Sequence, residues 1–91
     1  MIVSLEEMKQ YLRVDYDDDD SLIQYLLNSA IQICKDILRT DDESVLEADP
    51  NGKASVLYTT AYLYEHREEA DHHALMITLR SLLGGSRKAE F

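Results

Sequence analysis

The residues best suited to chemistry are Glu65, His66, Glu68, Glu69, His72 and His73. Carboxylates and imidazoles are ordinary ligands of zinc and of di-metal centres. Glu69-Ala70-Asp71-His72 has the Glu-x-x-His spacing found in helical di-metal bundles. Such a centre also needs a second pair and two further Glu side chains from facing helices. No matching pair occurs elsewhere, and the long helix described below offers Gln24, Asn28 and Gln32 outside its apolar arc. No metal and no other cofactor is therefore expected. Asp15, Asp17 and Asp19 are spaced like the opening of a calcium loop. That loop requires a Gly at its sixth position and a bidentate Glu at its twelfth, where this chain has Asp20 and Leu26. A polar turn is expected instead, with Asp20 or Ser21 capping the helix that follows. There is no Gly-rich phosphate loop, no readable Ser/His/Asp set and no basic stripe for a nucleic-acid groove. Catalysis is not expected.

The element around which the chain is organised runs from Asp20 to Leu38 without Gly or Pro. At about 100° per residue, Leu22, Ile23, Leu26, Leu27, Ala30, Ile31, Ile33, Cys34, Ile37 and Leu38 fall within an arc of roughly 180°. Polar residues fill the other half, so the segment is predicted to be an amphipathic helix. The arc is wider than the ~100° stripe that a single packed neighbour covers. A second element of the chain or a second copy of the protein must take the remainder. Cys34 lies inside the arc and reads as a core thiol in a reducing compartment, not as a nucleophile.

Three further helices are expected. Ser4-Leu5-Glu6-Glu7 forms a capping box, and Leu5, Met8 and Leu12 share a face up to about Arg13. Lys53 to about Ala70 is apolar nearly all round, with Ala54, Leu57 and Ala61 on one side and Val56, Tyr58, Tyr62 and Leu63 around the rest. Such a helix belongs in a core or between subunits. Ala74 to Leu83 completes the set, ended by Gly84-Gly85. Between the second and third helices, Thr40 to Glu43 could start a single extra turn carrying Val45 and Leu46, before the turn Asp49-Pro50-Asn51-Gly52. The result is an all-α, four-helix domain spanning 1–85 with a frayed tail at 86–91. Its expected core is Leu5, Met8, Leu12, Leu22, Leu26, Ile33, Ile37, Leu57, Ala61, Leu79 and Leu82.

A chain of 91 residues makes one domain. At this size only about 60–65% of the unfolded surface is buried, so assembly with copies of itself is a natural supplement. Eighteen acids against nine bases give a formal charge of −9. Such a surface repels DNA phosphate and anionic lipid. The opening Met1-Ile2-Val3-Ser4-Leu5-Glu6-Glu7 lacks the basic-then-apolar pattern of a signal peptide, and no apolar run approaches a membrane span.

The order of features resembles a protein family. Leu12-Arg13-Val14-Asp15, an acidic stretch, a long helix ending near Leu38 and a variable acidic loop come first. Tyr62-Leu63-Tyr64-Glu65-His66-Arg67-Glu68 and then Leu79-Arg80-Ser81-Leu82-Leu83 follow. Together these resemble the head–tail connector, or head-completion, proteins of long-tailed phages and prophages, often labelled DNA-packaging proteins. The resemblance runs from about Ser4 to Arg87. It implies a structural, non-enzymatic virion protein, made in the bacterial cytoplasm and placed at the head–tail junction. It further implies a helical subunit of a homo-oligomeric ring, lying between the portal protein and a tail-side completion protein, with DNA passing through. Candidate subunit-interface residues are Ile23, Tyr25, Leu27, Ile31, Tyr58, Tyr62 and Arg67. Candidate residues of an acidic channel or loop are Asp17, Asp18, Asp19, Asp41, Asp42 and Glu43. A rival from another class is an acidic inhibitor or DNA mimic occupying a basic protein surface. A third reading, a small metal-dependent enzyme, requires stoichiometric metal.

Overall fold

The computed structural model describes residues 2–66 and 73–84. These form five helices: α1 (Leu5–Leu12), α2 (Asp20–Leu38), α3 (Glu43–Ala48), α4 (Gly52–Glu65) and α5 (His73–Gly84). No strand occurs among the described residues, so the fold is all-α as the periodicity predicts. The short α3 is the extra turn expected between the long helices. The expected frayed tail at 86–91 lies outside the described residues.

Each helix boundary has a local cause. Ser4 caps α1 with a complete capping box: its hydroxyl accepts from the Glu7 amide at 3.1 Å, and the Glu7 carboxylate accepts from the Ser4 amide at 3.2 Å. Both α1 and α2 end in a paired set of backbone hydrogen bonds around a left-handed residue. At the end of α1 the Arg13 amide donates to Gln10 and the Val14 amide to Lys9. At the end of α2 Arg39 donates to Asp36 and Thr40 to Lys35. The left-handed positions are occupied by Arg13 (φ 62°) and Arg39 (φ 58°), where glycine would be unstrained. α3 is capped by Asp42, not Thr40, because the Asp42 carboxylate accepts from the Ser44 amide at 3.0 Å. Thr40 Oγ1 accepts from the Asp42 amide and fixes that turn. α4 runs to Glu65, with His66 off helical geometry, and the expected end near Ala70 lies outside the described residues.

The core centres on α2, which meets all four other helices and α4 most extensively. Its buried side chains are Ile23, Leu27, Ala30, Ile31, Cys34 and Leu38, joined by Val3, Met8, Leu46, Val56, Leu75, Leu79 and Leu83. This corrects the expected orientation of α2. Leu22, Leu26, Ile33 and Ile37 were expected inside and are only half-buried. Ile23, Leu27 and Ile31, expected at subunit contacts, are sealed within the subunit. The apolar arc is real, but the other helices cover the part of it about 100° away from Leu22. Met8 and Leu79 lie in the core as expected. Leu5, Leu12, Leu57 and Ala61 pack half-buried against it, and Leu82 is also half-buried.

The inner side of α4 is small and hydroxylic, which lets it approach its neighbours closely. Gly52, Ser55, Val56, Thr59 and Thr60 are all buried. The two threonines return their hydroxyls to the backbone, Thr59 Oγ1 to Ser55 O at 2.7 Å and Thr60 Oγ1 to Val56 O at 2.8 Å, which satisfies them without a distant partner. At Gly52 a Cβ would stand 2.1 Å from the Leu46 carbonyl oxygen, so the α3–α4 junction admits no larger residue without moving.

Candidate functional site

The acidic residues singled out in sequence are mostly engaged in holding the subunit together. Lys9 Nζ lies 3.0 Å from Asp17 and 2.7 Å from Asp20, and its side chain is largely buried. Hydrogen bonding to Asp20 and then Asp17 raises the lysine pKa above its ordinary value. The Asp20 Oδ1 atom is sealed from solvent, and the Lys9 ammonium supplies its counter-charge. Asp19 occupies the N-cap position of α2 but makes no side-chain cap. Its carboxylate accepts from Tyr64 Oη at 2.5 Å. Asp42 caps α3, also accepting from Ser44 Oγ at 2.7 Å. Bonding to Ser44 holds its carboxyl below the usual range. Glu43 accepts from the Ile2 amide at 3.0 Å and fixes the N-terminal segment against α3. Asp18 and Asp41 are exposed.

The candidate chemical groups do not converge. Among the described residues no group of three or more His, Cys, Asp or Glu could hold a metal ion. Of the Glu/His cluster only Glu65, His66 and the backbone of His73 are described, and Glu68, Glu69 and His72 lie outside the described residues. Burial pushes the Cys34 thiol up to about 11, with the hydrogen-bond contact to Thr59 Oγ1 at 3.9 Å acting weakly the other way. Cys34 is thus a protonated core residue at neutral pH, as its place in the arc predicts.

Two partly open stripes are apolar. On α2 the half-buried stripe Leu22, Leu26, Ile33 and Ile37 runs beside Tyr25, which is 67% exposed. On α4 the side remote from Thr59 carries exposed Ala54 and Tyr58 with half-buried Leu57 and Ala61. Tyr58, Tyr62 and His66 follow one another along α4, with ring centroids 6.5 Å apart for the tyrosine pair and a 4.3 Å stack between Tyr62 and His66. Of the interface residues named from sequence, Tyr25 and Tyr58 are exposed and Tyr62 is half-buried, while Arg67 lies outside the described residues. No helix is long and apolar enough to cross a membrane among the described residues.

The described residues thus form an all-helical fold in which most of the singled-out acids brace its own turns and apolar stripes on α2 and α4 stay partly open. Residues 2–81 match the family described as phage gp6-like head-tail connector protein, and the chain belongs to that family. Comparison with curated proteins and with solved structures gave no match.

Proposed function

We propose that this chain is the repeating subunit of a ring that joins the capsid portal to the tail, through which DNA passes without tight binding. The observation that supports it most is the family match over residues 2–81 on a subunit this small. The uncovered apolar faces of α2 and α4 support self-assembly, since exposed apolar patches of this kind mark interaction surfaces. The formal charge of −9 suits a lumen that keeps a duplex mobile. The partners are further copies of the chain, the portal protein on the head side and a completion protein on the tail side. No catalytic step is assigned to it, and the virion head–tail junction is its place of action.

The test is to mix the purified chain with the portal protein of its own phage or prophage and image the product by electron microscopy. A closed ring of added density beneath the portal is expected. A portal left bare at saturating concentrations of the chain would contradict the assignment.

A further inference from the structure

Among the described residues two partly open helix faces carry apolar side chains along their length, with charge towards their ends. Exposed Asp36, held by Gln32 at 2.8 Å, lies on the flank of the α2 face. The α2 stripe from Leu22 to Ile37 and the α4 face from Lys53 to Glu65 each extend about 20 Å. The acidic turn lies at the N-terminal end of the α2 stripe, with exposed Asp18 and an Asp17 side chain that is 88% exposed. Exposed Arg39 lies at its C-terminal end, together with Asp36, whose carboxylate is turned to Gln32. On α4 the order of charge is reversed. Lys53 stands at the start and keeps 54% of its side chain exposed although its own Glu7 lies 2.5 Å away, and exposed Glu65 stands at the end. A single subunit cannot bring these faces together, because Thr59 turns the other side of α4 towards Cys34 on α2.

We propose that the α4 face of one copy docks on the α2 stripe of the next with the two helices parallel. Lys53 then meets the Asp17–Asp18 turn, and Glu65 meets Arg39. An antiparallel arrangement would set Glu65 against that acidic turn and is disfavoured by like charge. The neutral centre is what selects a second copy over a basic partner, whose cations would be buried unpaired against Leu26 and Ile33. The contact uses two different surfaces, so each copy offers both halves and the repeat propagates until it closes. This proposal rests on the ring assignment above and names the faces that build it.

Charge exchange tests it separately from the ring assignment. Glu65→Arg and Arg39→Glu each place like charges together, and each should reduce the assembled fraction about tenfold, a penalty near 1.4 kcal/mol. The double variant should return to within about twofold of wild type. Circular dichroism melts confirm that each variant is folded. A second measurement uses Tyr25→Cys and Tyr58→Cys with a short bismaleimide, against a native Cys34 that is buried. The double-cysteine chain should give a ladder of covalent oligomers, and neither single variant should cross-link. Rings that form equally well from both charge variants would overturn the docking while leaving the ring intact, handing these faces to another partner. Covalent dimers from Tyr25→Cys alone would overturn it in favour of a two-fold contact. A wild-type chain that forms no ring, even on its portal, would remove both proposals together.

Discussion

Tyr64 donates its phenol to the Asp19 carboxylate at 2.5 Å, joining the end of α4 to the start of α2 across 45 residues of sequence. Asp19 gives up the helix-capping bond its position invites and serves as a tertiary tie instead. The bond to Asp19, followed by one to Tyr16, raises the Tyr64 pKa well above its ordinary value. A group with a raised folded-state pKa contributes stability below its unfolded value and loses that contribution as pH climbs through the folded one. Tyr64→Phe should therefore cost about 1 kcal/mol near neutral pH, at the low end because the ring is partly exposed. The gap between wild type and variant should narrow once pH exceeds about 10. Urea unfolding of both proteins across that range measures it. A gap independent of pH would mean that the phenol proton is not what Asp19 holds.

The rotation of α2 can be tested by neighbouring leucines. Leu27 is fully buried and Leu26 half-buried, so Leu27→Ala should cost about 2–5 kcal/mol and Leu26→Ala clearly less. Leu26→Ala should instead weaken assembly. Thermal melts of the two variants, with sedimentation of the folded species, separate these effects.

Gly52 should resist even the smallest side chain. The Cβ of Gly52→Ala would collide with backbone, which cannot rotate away as a side chain would. A loss of about 1–3 kcal/mol is expected. That amounts to a fall in Tm of several degrees or more at this size, about 4–8 °C for each kcal/mol. A melting temperature unchanged by the substitution would show that α3 shifts freely.

Replacing a strained left-handed residue should act in the opposite direction. Arg13 takes φ 62° at the end of α1 and is exposed, so Arg13→Gly relieves strain while leaving the Schellman hydrogen bonds in place. A gain of up to about 1 kcal/mol is expected, reduced by the greater freedom of glycine in the unfolded chain. Chemical denaturation gives the sign directly.

How far the sequence could be read depended on the range of each interaction. The capping box at Ser4 and Glu7, the helical arc of α2 and the extra turn before Asp49 are local, and their residue types and spacing announce them. Which part of the α2 arc turns inward is decided by contacts with α3, α4 and α5, so Ile23 and Leu22 could not be told apart by periodicity alone. The acidic run after Asp15 was legible as a polar turn. Its tie to Tyr64 and its counter-charge on Lys9 depend on distant chain segments and left no local signal. Gly52 read as a turn residue because its neighbours are Pro50 and Asn51. Its steric reason, the Leu46 carbonyl, emerges only once α3 and α4 are packed.

Duplex DNA should slide past this protein without being retained. Tight binding draws on Lys and Arg displacing counterions from phosphate, and here 18 acids oppose nine bases. A gel shift at low salt, where attraction is least screened, should show free duplex at low micromolar protein. Retardation there would contradict an acidic, non-adhesive lumen.

The most direct test of the connector assignment is to delete the gene for this chain from its phage or prophage and examine the particles by electron microscopy. Heads and tails should both be made and remain separate, and supplying the chain in trans should restore tailed particles. Normal numbers of tailed, infectious particles from the deletion strain would contradict a role at the head–tail junction.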